Sequence, residues 1–173
     1  MMFRLRQLLF APLVFVATAC GVYSFTGTTI SAETLSIQTF YNDANNGPAN
    51  LAVLFTDQLR DYFQQNTSLS QVKDEGELQI EGAITGYRLT PVAPSASTGV
   101  STNDQANLTR LTITVKVSYI NLEDEEQNFN NKSFSFYSDF DSDQGLTAVE
   151  NQLIQEIYDQ IILDIFNATV ANW

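Results

Sequence analysis

The chain has 173 residues, 44% hydrophobic and 12% aromatic, with twenty acidic side chains against eight basic ones and a formal charge of −12. That length predicts one domain plus a targeting segment, with enough apolar residues to bury a core without disulfides. With no histidine and one cysteine, Ser-His-Asp sites, Cys-His sites and internal disulfides are excluded, and the acidity argues against nucleic acid as a partner.

The first element is a leader. MMFRLRQ carries Arg4 and Arg6, and LLFAPLVFVATA follows without a charge. A positive start and a short apolar run read as a secretory signal over residues 1–19, because a bilayer span needs about 20 apolar residues. Ala17, Thr18 and Ala19 precede the single cysteine, Cys20, and Gly21 follows. This resembles a bacterial lipobox, in which the thiol is acylated with palmitate-type chains and the chain is cut just before it. Residues 20–173 are then one domain tethered through Cys20, with a formal side-chain charge of −14. Gly21 in place of Asp, and no acidic residue in GVYSFTGTTISA, point to the outer membrane, on its periplasmic side. The alternative is plain cleavage near Ala19 and a free thiol.

LSIQTFYN (35–42) is rich in β-formers and reads as a strand, with Leu35, Ile37 and Thr39 on one face. NDANNGP is a loop. In residues 50–66 the apolar positions recur every three or four residues, from Leu51 through Leu54, Phe55, Leu59 and Tyr62 to Phe63. That predicts an amphipathic helix with Asn50 at its N-cap. ELQIEGAITGYRLTP (77–91) alternates through Leu78, Ile80, Gly82, Ile84 and Gly86, then slips by one to Tyr87 and Leu89, which predicts a bulge at Gly86. Residues 91–107, rich in Pro, Ser and Thr, read as a long loop.

RLTITVKVSY (110–119) places Leu111, Ile113, Val115, Val117 and Tyr119 on one face and Arg110, Thr112, Thr114, Lys116 and Ser118 on the other. A strand with one face buried has this pattern. EDEE (123–126) is a charged turn, and residues 129–140 return as the second strand of a hairpin. From Leu146 to Phe166 two adjoining apolar stripes predict a helix lying across a sheet, started by a capping box at Thr147 and Glu150. The order β-α-β-β-β-α predicts an α+β two-layer sandwich, a four-stranded sheet with both helices on one face.

Sites are sparse. Asp139, Asp141 and Asp143 alternate, and Glu150 falls twelfth, as in a calcium loop; but Gln144 stands where the sharp turn needs Gly. A strand-to-helix turn accounts for these acids better. No phosphate loop is present and no nucleophile sits beside a base, so neither a catalytic residue nor a cofactor is expected. The sequons and the terminal Trp173 carry no assignment.

Taken together, CGVYSFTGTTIS, the element order, LTITVKVSY, SFSFYSDFDS and IFNATVANW resemble the LptE family of lipopolysaccharide-assembly lipoproteins, over Cys20 to Trp173. The resemblance implies two helices on one side of a four-stranded sheet. It also implies a non-enzymatic role as plug and assembly partner of the LptD β-barrel, which inserts lipopolysaccharide into the outer membrane. Lipopolysaccharide contact in that family is associated with basic residues, and here only Arg60, Lys73, Arg88, Arg110, Lys116 and Lys132 remain after the leader. Arg110 and Lys116, on the polar face of the clearest strand, are the candidates for contact with lipid phosphates; cross-strand ion pairs are the alternative. A free lipoprotein that binds a glycan, peptide or cation is the competing reading, and a periplasmic enzyme working with carboxylates is the third.

Overall fold

The structure, a computed structural model, describes residues 32–92 and 108–170. The leader, Cys20, residues 93–107 of the long loop and Trp173 lie outside the described residues. The elements in chain order are β1 (Thr34–Ile37), β2 (Tyr41–Asn42), α1 (Leu51–Asn66), β3 (Ser70–Val72), β4 (Leu78–Pro91), β5 (Leu108–Asn121), β6 (Phe129–Asp141) and α2 (Leu146–Thr169). Short 3-10 turns at Glu125–Gln127 and Ser142–Gln144 flank β6.

The expected α+β sandwich is present, but the sheet has six strands rather than four, in the order β3-β1-β4-β5-β6 with β2 also beside β4. It is mixed. β4, β5 and β6 form a long antiparallel meander, while β1 pairs in parallel with both β3 and β4, and β2 in parallel with β4. Two causes account for the extra strands. β3 is three residues long, too short to alternate visibly. The expected strand at 35–42 breaks in the middle, because Phe40 rather than Thr39 turns inward: Phe40 is 2% exposed and Thr39 is exposed.

Gly82 explains that break. A Cβ there would sit 2.6 Å from the Phe40 ring, so the gap in β4's apolar row is the space Phe40 fills. The Thr56 hydroxyl in α1 accepts the Phe40 N–H at 3.0 Å and donates to the Ala52 carbonyl at 2.7 Å. The ring meets Phe55 edge-on at 5.0 Å, and Phe55 meets Tyr158 of α2 at 5.0 Å. Each such aromatic pair adds about 0.5–1.5 kcal/mol beyond area burial.

Both helices pack on one face, as expected. Leu111, Ile113, Val115, Val117 and Tyr119 are buried beneath them, while Thr112, Thr114, Lys116 and Ser118 stay open. In α2, Leu153, Ile157, Ile161 and Ile165 of one stripe are buried, as are Ile154, Tyr158 and Ile162 of the other. The Tyr158 hydroxyl donates to the Leu51 carbonyl at 3.0 Å, joining α2 to the start of α1.

The bulge falls between Ile84 and Gly86, where it was expected, and returns Tyr87 to the buried face. The caps differ from expectation. Asn50 is the N-cap of α1 but makes no side-chain bond. Gly145, at φ 73°, precedes α2 and leaves Thr147 inside the helix, so the capping box does not form. Among the described residues no helix is long and apolar enough to cross a membrane.

Candidate functional site

The polar sheet face is built by the outward residues of β4, β5 and β6 in register. Thr90, Arg110 and Asp139 form one cross-strand row; Arg88, Thr112 and Tyr137 the next; Ala83, Lys116 and Ser133 another. Three of the six basic residues after the leader, Arg88, Arg110 and Lys116, therefore share this face. The two helices carry Asp57, Asp61, Glu150, Glu156, Asp159 and Asp164 with only Arg60 among them. The helical layer is thus acidic, while most of the chain's remaining carboxylates lie in its loops and turns.

Arg110 is committed to its neighbours. Its Nε and Nη2 donate to the two carboxylate oxygens of Asp139 at 2.7 and 2.8 Å, and its guanidinium lies 3.6 Å from the centre of the Tyr137 ring. The Arg110 bond holds the Asp139 carboxyl below its usual range, and Asp139 raises the guanidinium in return. Lys116 makes no hydrogen bond or ion pair among the described residues. It borders a shallow 380 Å³ hollow with Tyr41, Asp43, Glu81, Ser118 and Asn131. Six residues along one strand separate Arg110 and Lys116 by about 20 Å, so the structure does not bring the two onto one phosphate.

The acidic ladder is spent on local structure. Asp139 holds Arg110, and the Asp141 Oδ1 accepts the Asp143 N–H at 3.0 Å, capping the 3-10 turn. Glu150, one turn into α2, accepts the Tyr87 hydroxyl at 2.5 Å. Among the described residues no group of three or more such side chains is placed to hold a metal ion. In the EDEE turn, Asp124 accepts the Glu126 N–H at 3.2 Å, while the Asn121 side chain accepts from Glu123 and Asp124.

Sequence reasoning did not foresee a cleft of 810 Å³ at the far end of β4, bounded by the Asn45–Pro48 loop, Thr85–Leu89 and the Leu146 and Glu150 side of α2. The end of β2 at Asn42 was legible from the NDANNGP loop, but that β2 lies beside β4 and leaves the rest of that edge unpaired follows only from the sheet pairing.

The comparisons agree with this architecture. The model of the LptE family, described as lipopolysaccharide-assembly, matches residues 32–169. No curated protein matches the chain. Among solved structures, a hypothetical protein from Chlamydia trachomatis superposes with a TM-score of 0.53 at 8% identity, over 82% of this chain and 100% of that one. That likeness establishes the shared fold. Uncharacterized lipoprotein B from Nitrosomonas europaea aligns with a TM-score of 0.49 at 13% identity, covering 78% of this chain and 79% of its own. A minor lipoprotein from Acinetobacter baumannii gives 0.46 at 14% identity, over 78% and 89%. With two helices on one face of a mixed sheet, and a family match running from before β1 to the end of α2, the chain belongs to the LptE family.

Proposed function

We propose that this protein is a non-enzymatic lipopolysaccharide-assembly lipoprotein, held at the periplasmic side of the outer membrane by acyl chains on Cys20, and that it acts as plug and assembly partner of an LptD-like β-barrel. The family match over residues 32–169 carries the reading. The polar sheet face supports it. β4, β5 and β6 are 13 or 14 residues long, roughly 45 Å, and expose Thr, Ser and Tyr with both signs of charge. A hydrated barrel lumen is lined by similar chemistry. Such a role asks for shape and surface, not for a reacting group.

Expression in the native envelope with a C-terminal tag, extraction in mild detergent and mass spectrometry of what co-purifies tests the partner. A near-stoichiometric outer-membrane barrel is the expected result, and its absence rejects the proposal. Intact-mass analysis tests the anchor: Cys20 at the mature N-terminus with acyl chains is expected, and a bare thiol rejects it. Lys116, with no partner among the described residues, is the first choice for a lipid phosphate contact; Arg110 would have to leave Asp139 to take part.

A further inference from the structure

The second half of β4 is paired on one side only. Leu78–Ile80 lie beside β1 and Ala83–Ile84 beside β2, and the last backbone bond on that side runs from the Asp43 N–H to the Ile84 carbonyl at 2.9 Å. From Gly86 to Pro91 β4 pairs with β5 alone among the described residues. The chain leaves the sheet there because the Asn42 side chain accepts the Ala44 N–H at 3.2 Å, and Gly47, at φ 98°, folds the loop onto the Tyr87 ring.

The 810 Å³ cleft lies along this half-paired stretch. Five consecutive β4 residues, Thr85 to Leu89, line it. A space over one face of a strand meets alternate residues, because successive side chains point to opposite faces. Five in a row place the cleft at the strand's edge, where unpaired N–H and C=O groups point.

We propose that this cleft takes an extended segment of a partner polypeptide, which adds to β4 as a further strand in line with β1 and β2. A row of backbone donors and acceptors at strand spacing is matched by another extended backbone, and a glycan or a cation does not reproduce that repeat. Thr85 to Leu89 spans about 13 Å, room for four or five guest residues. Leu89, 43% exposed, and Leu146 offer apolar contact on the walls. Arg88 has no carboxylate partner among the described residues and is the cleft's cation, while the cleft's one carboxylate, Glu150, is engaged by the Tyr87 hydroxyl, so the guest carries an acidic side chain beside an apolar one. The inference goes beyond the barrel reading and holds whichever protein supplies the guest.

A random heptapeptide library displayed on phage, selected against the immobilised mature chain, is the probe, followed by NMR titration with the enriched peptide. Expected are peptides that combine an acidic and an apolar residue, with amide shifts confined to residues 45–48, 85–89 and the start of α2. Arg88→Glu and Leu89→Asp should each weaken binding by about tenfold or more, and N-methylation at alternate peptide residues should abolish it. Asp159→Asn, on the exposed face of α2, should leave binding unchanged. No enrichment, shifts confined to β5 and β6, or full binding by the N-methylated peptide would each overturn the proposal. So would complete protection of the 85–89 amides from exchange in the free chain, since this chain would then fill its own cleft. Each of those failures leaves the barrel co-purification experiment unaffected, and loss of the barrel leaves peptide binding unaffected.

Discussion

The Tyr87 hydroxyl donates to the Glu150 carboxylate at 2.5 Å across a sequence separation of 63 residues. This bond ties β4, just past its bulge, to the first turns of α2, and it stands where a capping box was expected. Tyr87→Phe keeps the ring under Gly47 and removes only the donor. It should cost about 1.5–3 kcal/mol in urea unfolding, as expected for a hydrogen bond to a charged acceptor. Glu150→Gln keeps an acceptor and should cost less. Equal losses in the two variants would mean that the charge, not the hydrogen bond, matters.

Gly82 is the residue that lets Phe40 in. An added Cβ meets the Phe40 ring at 2.6 Å and also runs into the Lys116 backbone carbonyl. Gly82→Ala should therefore lower stability by about 1–3 kcal/mol, the usual cost of overpacking a filled core. Phe40→Ala leaves a cavity and should cost about 3–5 kcal/mol. In the double variant the ring clash is gone but the carbonyl clash remains, so the two losses should combine to less than their sum without restoring the wild type. Thermal melts of the three variants measure this.

The long elements were legible because each repeats one period for several turns or strand repeats. The five inward residues of β5 and both stripes of α2 needed no knowledge of their partners. The slip from Gly86 to Tyr87 was legible for the same reason: the alternation itself changes phase. What escaped was set by partners distant in sequence. Phe40 replaces Thr39 because Gly82, 42 residues on, leaves a gap. β3 exists because β1 offers it an edge, and the cleft exists because β2 lies beside β4, 42 residues on, and covers only part of its edge. Of the site candidates, Arg110 was placed on the correct face, but that its register partner is Asp139 follows only from the pairing of β5 with β6.

That pairing decides how the two basic candidates should behave. Asp139→Asn removes the carboxylate charge and one of the two acceptors that hold Arg110, which frees a guanidinium donor for a phosphate. If lipopolysaccharide meets this face, Asp139→Asn should strengthen binding, Lys116→Ala should weaken it, and Arg110→Ala should change it little. Binding of purified lipopolysaccharide to the mature chain, measured at two salt concentrations, checks the order. Loss of binding only in Arg110→Ala would show that the ion pair opens to admit the ligand.

Glu77 anchors the start of β1. Its carboxylate accepts the Glu33 N–H at 2.5 Å and the Thr34 N–H at 3.2 Å, and these backbone bonds, Glu33 first, hold its pKa below the usual value. A lowered folded pKa means that the contribution is present above the unfolded value, about 4.3, and is lost as pH falls through the folded one. Acidification should therefore release the amides of residues 33 and 34 before the core opens. Glu77→Ala should produce the same local exchange at neutral pH with little change in melting temperature. A global loss of protection in that variant would contradict this local role.

The opposite end of the pH scale tests the core. Burial pushes the Tyr158 phenol well above its usual value, and burial followed by the Glu150 bond does the same for Tyr87. Burial also raises Tyr119, to about 12, against an opposing hydrogen bond from Asn121. For each phenol the folded pKa lies above the unfolded one, near 10. Their contribution is therefore complete below about pH 10 and disappears as pH rises through the folded values. Folding should hold these three hydroxyls protonated until the structure gives way, so part of the phenolate absorbance should appear together with the loss of far-ultraviolet helix signal. Tyr158→Phe keeps the ring against Phe55 and removes one titrating group, along with the bond to the Leu51 carbonyl. It should be less stable at neutral pH, yet lose less of its stability between neutral pH and strong alkali. Phenolate absorbance that rose to completion while the helix signal stayed intact would show that these hydroxyls reach water in the folded state.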